Sequence, residues 1–152
     1  MGTYLVRGGK RIEGEFAVRG SKNAALPILA ACVLAADEVV LENLAQIRDV
    51  SQTLEILREL GCSVTLTERT AVIDSREMQA IALCGEAVRK MRSSILFLGA
   101  MLGRSGAGRI AYPGGCAIGK RPIDLHLAAF RRMGVSIAEE NEILDCRAER
   151  LQ

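Results

Sequence analysis

The chain has 152 residues, 49% of them hydrophobic and only 3% aromatic, which suffices for one ordinary domain with an aliphatic core. Its 20 basic and 18 acidic residues are interspersed for a net charge of +2, without the basic block or aromatic–basic interleaving of a nucleic-acid binder. The longest apolar run, Ala24 to Ala36, is interrupted by Pro27, too short to span a bilayer and without the basic flank of a signal peptide, so a cytoplasmic protein with no membrane partner is expected.

Glu15 to Arg19 is a short alternating segment and reads as a strand. A helix begins near Ser21, a residue suited to the N-cap with exposed amides behind it. Pro27 lies inside that pattern and is expected to kink or stop it. Val39 to Leu41 is a short apolar strand. Val50 to Leu60 carries Leu54, Ile56, Leu57 and Leu60 on one side of a helix, ended by Gly61. Val64, Leu66, Ala71 and Ile73 predict a hairpin turned near Arg69. A second helix set follows, from Glu86 or Val88 to Leu102, then a strand over Arg109 to Tyr112 and a glycine-rich loop. A helix over Pro122 to Met133, Gly134 and strands at Val135 to Ala138 and Ile143 to Cys146 complete the chain. The expected fold class is α/β (α+β), with helices packed on antiparallel or mixed sheets.

This succession is a weak internal repeat. Ser21 to Leu26 aligns with Met91 to Leu96, and Val39 to Leu41 with Arg109 to Ala111, at a separation of 70. Leu57 to Val64 aligns with Phe130 to Ile137 at a separation of 73. Two units result, about 21–80 and 86–148. The residues gained by the second fall between about Leu44 and Pro122, where the chain reads Pro113-Gly114-Gly115-Cys116-Ala117-Ile118-Gly119-Lys120-Arg121-Pro122.

The cysteines, Cys32, Cys62, Cys84, Cys116 and Cys146, form no Cys-x-x-Cys pair and leave one over in any pairing, so thiols are expected rather than disulfides or a zinc site. Lys22 stands at the first turn of a helix, where the dipole disfavours a cation. Exposed amides plus an ammonium suit a phosphate or carboxylate; an ordinary solvated lysine is the plainer reading. Arg92 occupies the matching position of the second unit and offers a bidentate fork where lysine offers a point charge. Asn23 is either a helix-terminus hydrogen-bonder or a ligand contact.

The loop is the strongest local signal. Gly114 and Gly115 open backbone conformations closed to other residues, and Gly119 adds a second hinge. Lys120 and Arg121 place positive charge near Cys116, which lowers a thiol's pKa and favours nucleophilic or acid–base work. The remaining cysteines read as small hydrophobes. Pro122 suits the first turn of the following helix, and Asp124 suits its dipole. His126, the one histidine, has no companion at ligand spacing and no metal is expected there. Asp124 and His126, two apart on a helix, point in different directions, which speaks against a triad with Cys116.

Three segments carry a resemblance: Gly20 to Pro27, Met91 to Ser94, and Pro113 to His126. They are similar to the UDP-N-acetylglucosamine 1-carboxyvinyltransferases, and the third segment sets these apart from the 3-phosphoshikimate 1-carboxyvinyltransferases, which share a Gly-Ser-Lys segment but lack the cysteine loop. The resemblance implies transfer of an enolpyruvyl group from phosphoenolpyruvate to the 3-hydroxyl of UDP-N-acetylglucosamine, without cofactor or metal. It implies that Lys22 and Arg121 hold phosphoenolpyruvate, with Arg92 nearby, and that Cys116 is the general acid at the methylene carbon. Asn23 and the stretch Arg121, Pro122, Ile123, Asp124 and Leu125, with His126 lining the site, would hold the substrates.

The resemblance also implies an inside-out α/β barrel of six βαβαββ units in two domains, of which this chain has two. On that reading residues 1–20 are strands that pair with the second domain, and 21–152 are part of the first. Such a part is expected to be inactive alone and to meet the remaining units or self-associate through exposed apolar surface. The alternatives are a non-catalytic module binding an anion or nucleotide sugar, or a shikimate-type enzyme.

Overall fold

The computed structural model describes residues 3–79, 82–114 and 122–151. The first unit runs α1 (Lys22–Ala35), β1 (Glu38–Leu41), α2 (Arg48–Glu59), β2 (Ser63–Thr67) and β3 (Thr70–Asp74). The second runs β4 (Ala82–Leu83), α3 (Glu86–Lys90), a 3₁₀ turn (Arg92–Ser94), α4 (Ile95–Ser105), β5 (Ala107–Ala111), α5 (Asp124–Arg132), β6 (Ser136–Glu140) and β7 (Ile143–Arg147). Strands order β1-β3-β2 in an antiparallel sheet and β4-β5-β7-β6 in a mixed one, where β4 runs parallel to β5.

Period-two alternation decides which face of each sheet is covered. In β3, Ala71 and Ile73 are fully buried and Val72 between them is not; in β7, Leu144 and Cys146 are fully buried and Asp145 is not. The covering helices repeat the same logic at a period of 3.6. α1 buries Leu26, Leu29, Ala30 and Val33, and α4 buries Phe97, Leu98, Met101 and Leu102. α1 packs against both α2 and α4, so one aliphatic core runs from one unit into the other.

The repeat extends to the turns. Gly61 (φ 87°) and Gly134 (φ 89°) end α2 and α5 in the left-handed region, and the two hairpins turn through Glu68 and Asn141 with φ of 49° and 51°. In both pairs the residues stand 73 apart.

Three expectations need correction. Pro27 does not stop the first helix, which continues from Lys22 to Ala35. The carbonyl it leaves without a donor is that of Asn23, four residues back, and Asn23 is exposed, where solvent can satisfy it. The expected helix from Glu86 to Leu102 is instead two helices joined by the 3₁₀ turn, because Met91 is extended, with φ −128° and ψ 118°. The break is held from inside: the Ser94 hydroxyl lies 2.6 Å from the Met91 carbonyl and 3.0 Å from that of Val88.

The third correction concerns the strand expected at Glu15 to Arg19. Residues 3–20 form no regular secondary structure, and Tyr4, Leu5, Val6, Ile12, Phe16 and Val18 are each more than 80% exposed. A strand needs a partner for its backbone groups, and these residues have none among the described ones. The short β4 went unnoticed in the sequence, being only two residues long.

Candidate functional site

Two helix starts, one from each unit, meet at a cleft. Lys22 opens α1, and Ser21 ahead of it has the extended backbone of an N-cap but makes no side-chain bond to the helix amides. Arg92 opens the 3₁₀ turn that leads into α4. Both stand on the rim of a cleft of about 520 Å³, lined also by Asn23, Asp49, Gln52, Lys90 and Ser93, with His126 facing it from α5. Its apolar part comes from Leu26, Met91, Ile95 and Leu96.

The extended Met91 is what aims Arg92. A continuous helix would carry residue 92 round with the helix surface; the break lets the side chain leave toward α5, where Arg92 Nη2 donates to the carbonyl of Pro122 at 3.1 Å. Arg92 Nε and His126 Nδ1 are buried and have no hydrogen-bond partner among the described residues. A buried polar atom without a partner costs roughly 1–3 kcal/mol. Arg92 Nε–H is a donor in any state, so an anion or water that reached it would be gained.

Lys22 is less free than its sequence position suggests. Its ammonium pairs with the carboxylate of Asp49, from the first turn of α2. Lys90 likewise pairs with Glu86 at 2.8 Å, one helical turn back. Asp49, Gln52 and Lys90 were not singled out from the sequence, and Ser93 entered only within the Met91 to Ser94 segment. An acid in the first turn of a helix is explained by the dipole alone, so Asp49 gives no signal until α1 and α2 are packed.

Lys22, Asn23, Arg92 and His126 thus share one cleft. The other residues expected at the site do not line it: Ile123 is buried at 1% exposure, Leu125 is 78% exposed, Asp124 is exposed on the first turn of α5, and Pro122 participates through its carbonyl. Gly115, Cys116, Gly119 and Arg121, with Lys120, lie outside the described residues. Gly114 is described, and glycine is demanded there by close approach rather than by a left-handed φ: a Cβ would fall 1.6 Å from the carbonyl oxygen of Arg89.

Of the other cysteines, Cys32, Cys62 and Cys146 are buried. Burial pushes the Cys62 thiol up to about 11, with Cys32 beside it adding to the rise, and burial does the same for Cys146, also to about 11. A rise of this size leaves roughly a hundredth of the thiolate of an ordinary cysteine at neutral pH. N-ethylmaleimide at pH 8, followed by peptide mapping, is therefore expected to label Cys62 and Cys146 at least tenfold more slowly in the folded chain than in urea. Equal rates would contradict the burial. The linkage has a sign as well: because the folded thiols resist ionisation, their contribution is intact below about pH 8.5 and is lost as pH rises toward 11.

Among the described residues no group of three or more His, Cys, Asp or Glu side chains is placed to hold a metal, and no helix is long and apolar enough to cross a membrane.

The helices and sheets together have the enolpyruvyl transferase fold. Solved structures agree: the enolpyruvyl transferase NikO from Streptomyces tendae superposes with a TM-score of 0.79 at 24% identity, covering 95% of this chain and 32% of that one. EPSP synthase from Acinetobacter baumannii gives 0.69 at 18%, covering 91% and 33%. These likenesses concern the fold. The family itself follows from sequence: the profile of EPSP synthase (3-phosphoshikimate 1-carboxyvinyltransferase) matches residues 6–149, and the chain belongs to that family.

Within it, the chain is 41% identical over 152 residues to UDP-N-acetylglucosamine 1-carboxyvinyltransferase 2 of Caldanaerobacter subterraneus subsp. tengcongensis, covering 100% of this chain and 36% of that protein. It is 42% identical over 147 residues to UDP-N-acetylglucosamine 1-carboxyvinyltransferase of Desulforapulum autotrophicum, covering 97% and 35%. The chain therefore spans about a third of the length of these relatives.

Proposed function

We propose that this chain forms part of an enzyme that transfers the enolpyruvyl group of phosphoenolpyruvate to the 3-hydroxyl of UDP-N-acetylglucosamine, the committing step of peptidoglycan and cell-wall synthesis in the cytoplasm. The observation that carries the reading is the convergence of Lys22, Asn23, Arg92 and His126, drawn from both units, on one cleft. Supporting it are relatives named for this reaction at 41–42% identity across nearly the whole chain.

The chemistry suits the residues. Phosphoenolpyruvate carries a phosphate and a carboxylate, and its tetrahedral adduct keeps both, so cations already placed around the cleft stabilise it. Lys22 and Arg121 hold these groups, with Arg92 close by. The sugar 3-hydroxyl oxygen adds at C2 and gives its proton to a base contributed by the remaining units, while the Cys116 thiol protonates the methylene C3 and is left as the thiolate. A base then takes a proton from C3 as phosphate leaves C2 with its bonding electron pair, which restores the double bond on the product. Asn23 and His126, which line the cleft, position the sugar nucleotide, and the Pro122 carbonyl holds Arg92 beside it. The remaining units of a longer enzyme, or a second copy, complete the cleft.

The test is intact-mass spectrometry of the chain after exposure to fosfomycin, an epoxide that alkylates the loop cysteine of these transferases, with and without UDP-N-acetylglucosamine, followed by peptide mapping. Addition of one equivalent at Cys116, faster with the sugar nucleotide, is expected. Labelling of no cysteine, or of all alike, would overturn the assignment of Cys116 as the activated thiol.

A further inference from the structure

The same backbone crossing occurs once in each unit, with glycine on opposite threads. In the first unit the segment leading into α1 lies directly on the segment leaving β1: a Cβ at Gly20 would fall 2.2 Å from the carbonyl oxygen of Asn43 and 3.8 Å from the amide nitrogen of Ala45. In the second unit the segment leaving β5 lies on the segment leading into the 3₁₀ turn. There a Cβ at Gly114 would fall 1.6 Å from the carbonyl oxygen of Arg89, 2.5 Å from its carbonyl carbon and 3.1 Å from Lys90 Cα.

At the repeat separation of 70, Arg89 and Lys90 stand where Arg19 and Gly20 stand, and Gly114 stands on Leu44, between Asn43 and Ala45. The crossing is therefore one feature of the unit, used twice. Two backbones approach so closely that the thread facing the other's carbonyl must be glycine: Gly20 faces the carbonyl of Asn43, and Gly114 that of Arg89. Where the lead-in carries it, at Gly20, the other thread keeps a side chain, and Leu44 is buried at 6% exposure. Where the departing thread carries it, at Gly114, the lead-in keeps Lys90, paired to Glu86.

Each crossing lies two residues ahead of a cleft cation, Lys22 after Gly20 and Arg92 after Lys90. We infer that Gly114 is a positioning residue for Arg92: the thread leaving β5 presses on the Arg89–Lys90 peptide and so fixes where the 3₁₀ turn begins. The inference rests on the reading of Arg92 as an anion contact only for its consequence, not for its geometry. A carbon and a carbonyl oxygen stand about 3.3 Å apart when they touch, so a methyl group at 114 displaces one thread by roughly 1.7 Å. Misplacement of a contact by about 1 Å can cost as much as a hundredfold in a site of this kind.

The repeat supplies the rescue. The Arg89 carbonyl is aimed by the φ of residue 90, and glycine there would let it turn away, giving the second unit the arrangement the first already uses. The experiment compares Gly114→Ala, Lys90→Gly and the double variant in the whole chain, reading the Arg92 Nε–H resonance by NMR without ligand. Gly114→Ala is expected to shift that resonance, and the double variant to return it to its position in Lys90→Gly alone. An unmoved resonance in Gly114→Ala, or no return in the double variant, would overturn the inference.

Should Gly114→Ala not fold, the double variant still decides: folded with the Lys90→Gly resonance it supports the inference, unfolded it overturns it. Adding phosphoenolpyruvate to the unaltered chain separates the two readings. An Arg92 resonance insensitive to it removes the anion contact and leaves the positioning result as it stands.

Discussion

Phe97→Ala is expected to lower the stability of the chain by about 3–5 kcal/mol, the cost of removing a buried aromatic side chain and leaving a cavity. Phe97 is 1% exposed on α4 within the core shared by both units. For a domain of this size each kcal/mol moves the melting midpoint by roughly 2–4 °C, so a fall of at least about 6 °C should be seen by circular dichroism. Phe16→Ala removes the same side chain from a position that is 83% exposed, and a surface change of that kind stays within about 0.5 kcal/mol. The contrast tests the architecture as well as the residue. Equal losses for the two variants would mean that residues 3–20 are packed against the units and not exposed beside them.

Periodicity was enough to find most of this framework, because the elements that form the core are the ones with the plainest alternation. Leu54 and Leu57, with Leu60 at the C-cap, mark one side of α2, and Ala71 with Ile73 marks the inner face of β3; each pattern is a direct consequence of burying one side. The failures share a cause too, which is that the deciding interaction is made elsewhere. Pro27 reads as a breaker, but what matters is whether the carbonyl it strands can reach water, and Asn23 is on the surface. Met91 lies in a good helical run, and only the hydroxyl of Ser94, turned back to two carbonyls, shows why the helix divides.

At the site, the cations were legible because the repeat sets Lys22 and Arg92 against each other, and a matched pair means more than either alone. Their surroundings were not. Asp49 is separated from Lys22 by a strand and a turn, and nothing in its local sequence distinguishes it from an acid placed for the helix dipole. Gly114 was conspicuous as a glycine, but its reason, contact with the backbone of Arg89, belongs to the packed structure. Glu59 is a third such case: its carboxylate accepts from the amide of Gly85 at 3.1 Å and so caps α3 from the preceding unit.

The Lys22–Asp49 pair decides how strongly the cleft attracts an anion, and its two halves are expected to act in opposite directions. Lys22→Met leaves the Asp49 carboxylate without its partner, facing the same cleft as any bound phosphate; Asp49→Asn releases the ammonium from it. Two unit charges about 4 Å apart are worth ~4 kcal/mol at an effective dielectric constant of about 20. Side chains 50% and 30% exposed, for Lys22 and Asp49 respectively, feel several-fold less than that because solvent and salt screen them. What remains corresponds to a change in affinity of about tenfold. Titration of phosphoenolpyruvate by calorimetry is therefore expected to give weaker binding for Lys22→Met and tighter binding for Asp49→Asn, with both differences shrinking as salt is added. If Asp49→Asn weakened binding as much as Lys22→Met does, the carboxylate would be orienting the ammonium rather than competing with the ligand for it, and the pair would have to be read as one preorganised unit.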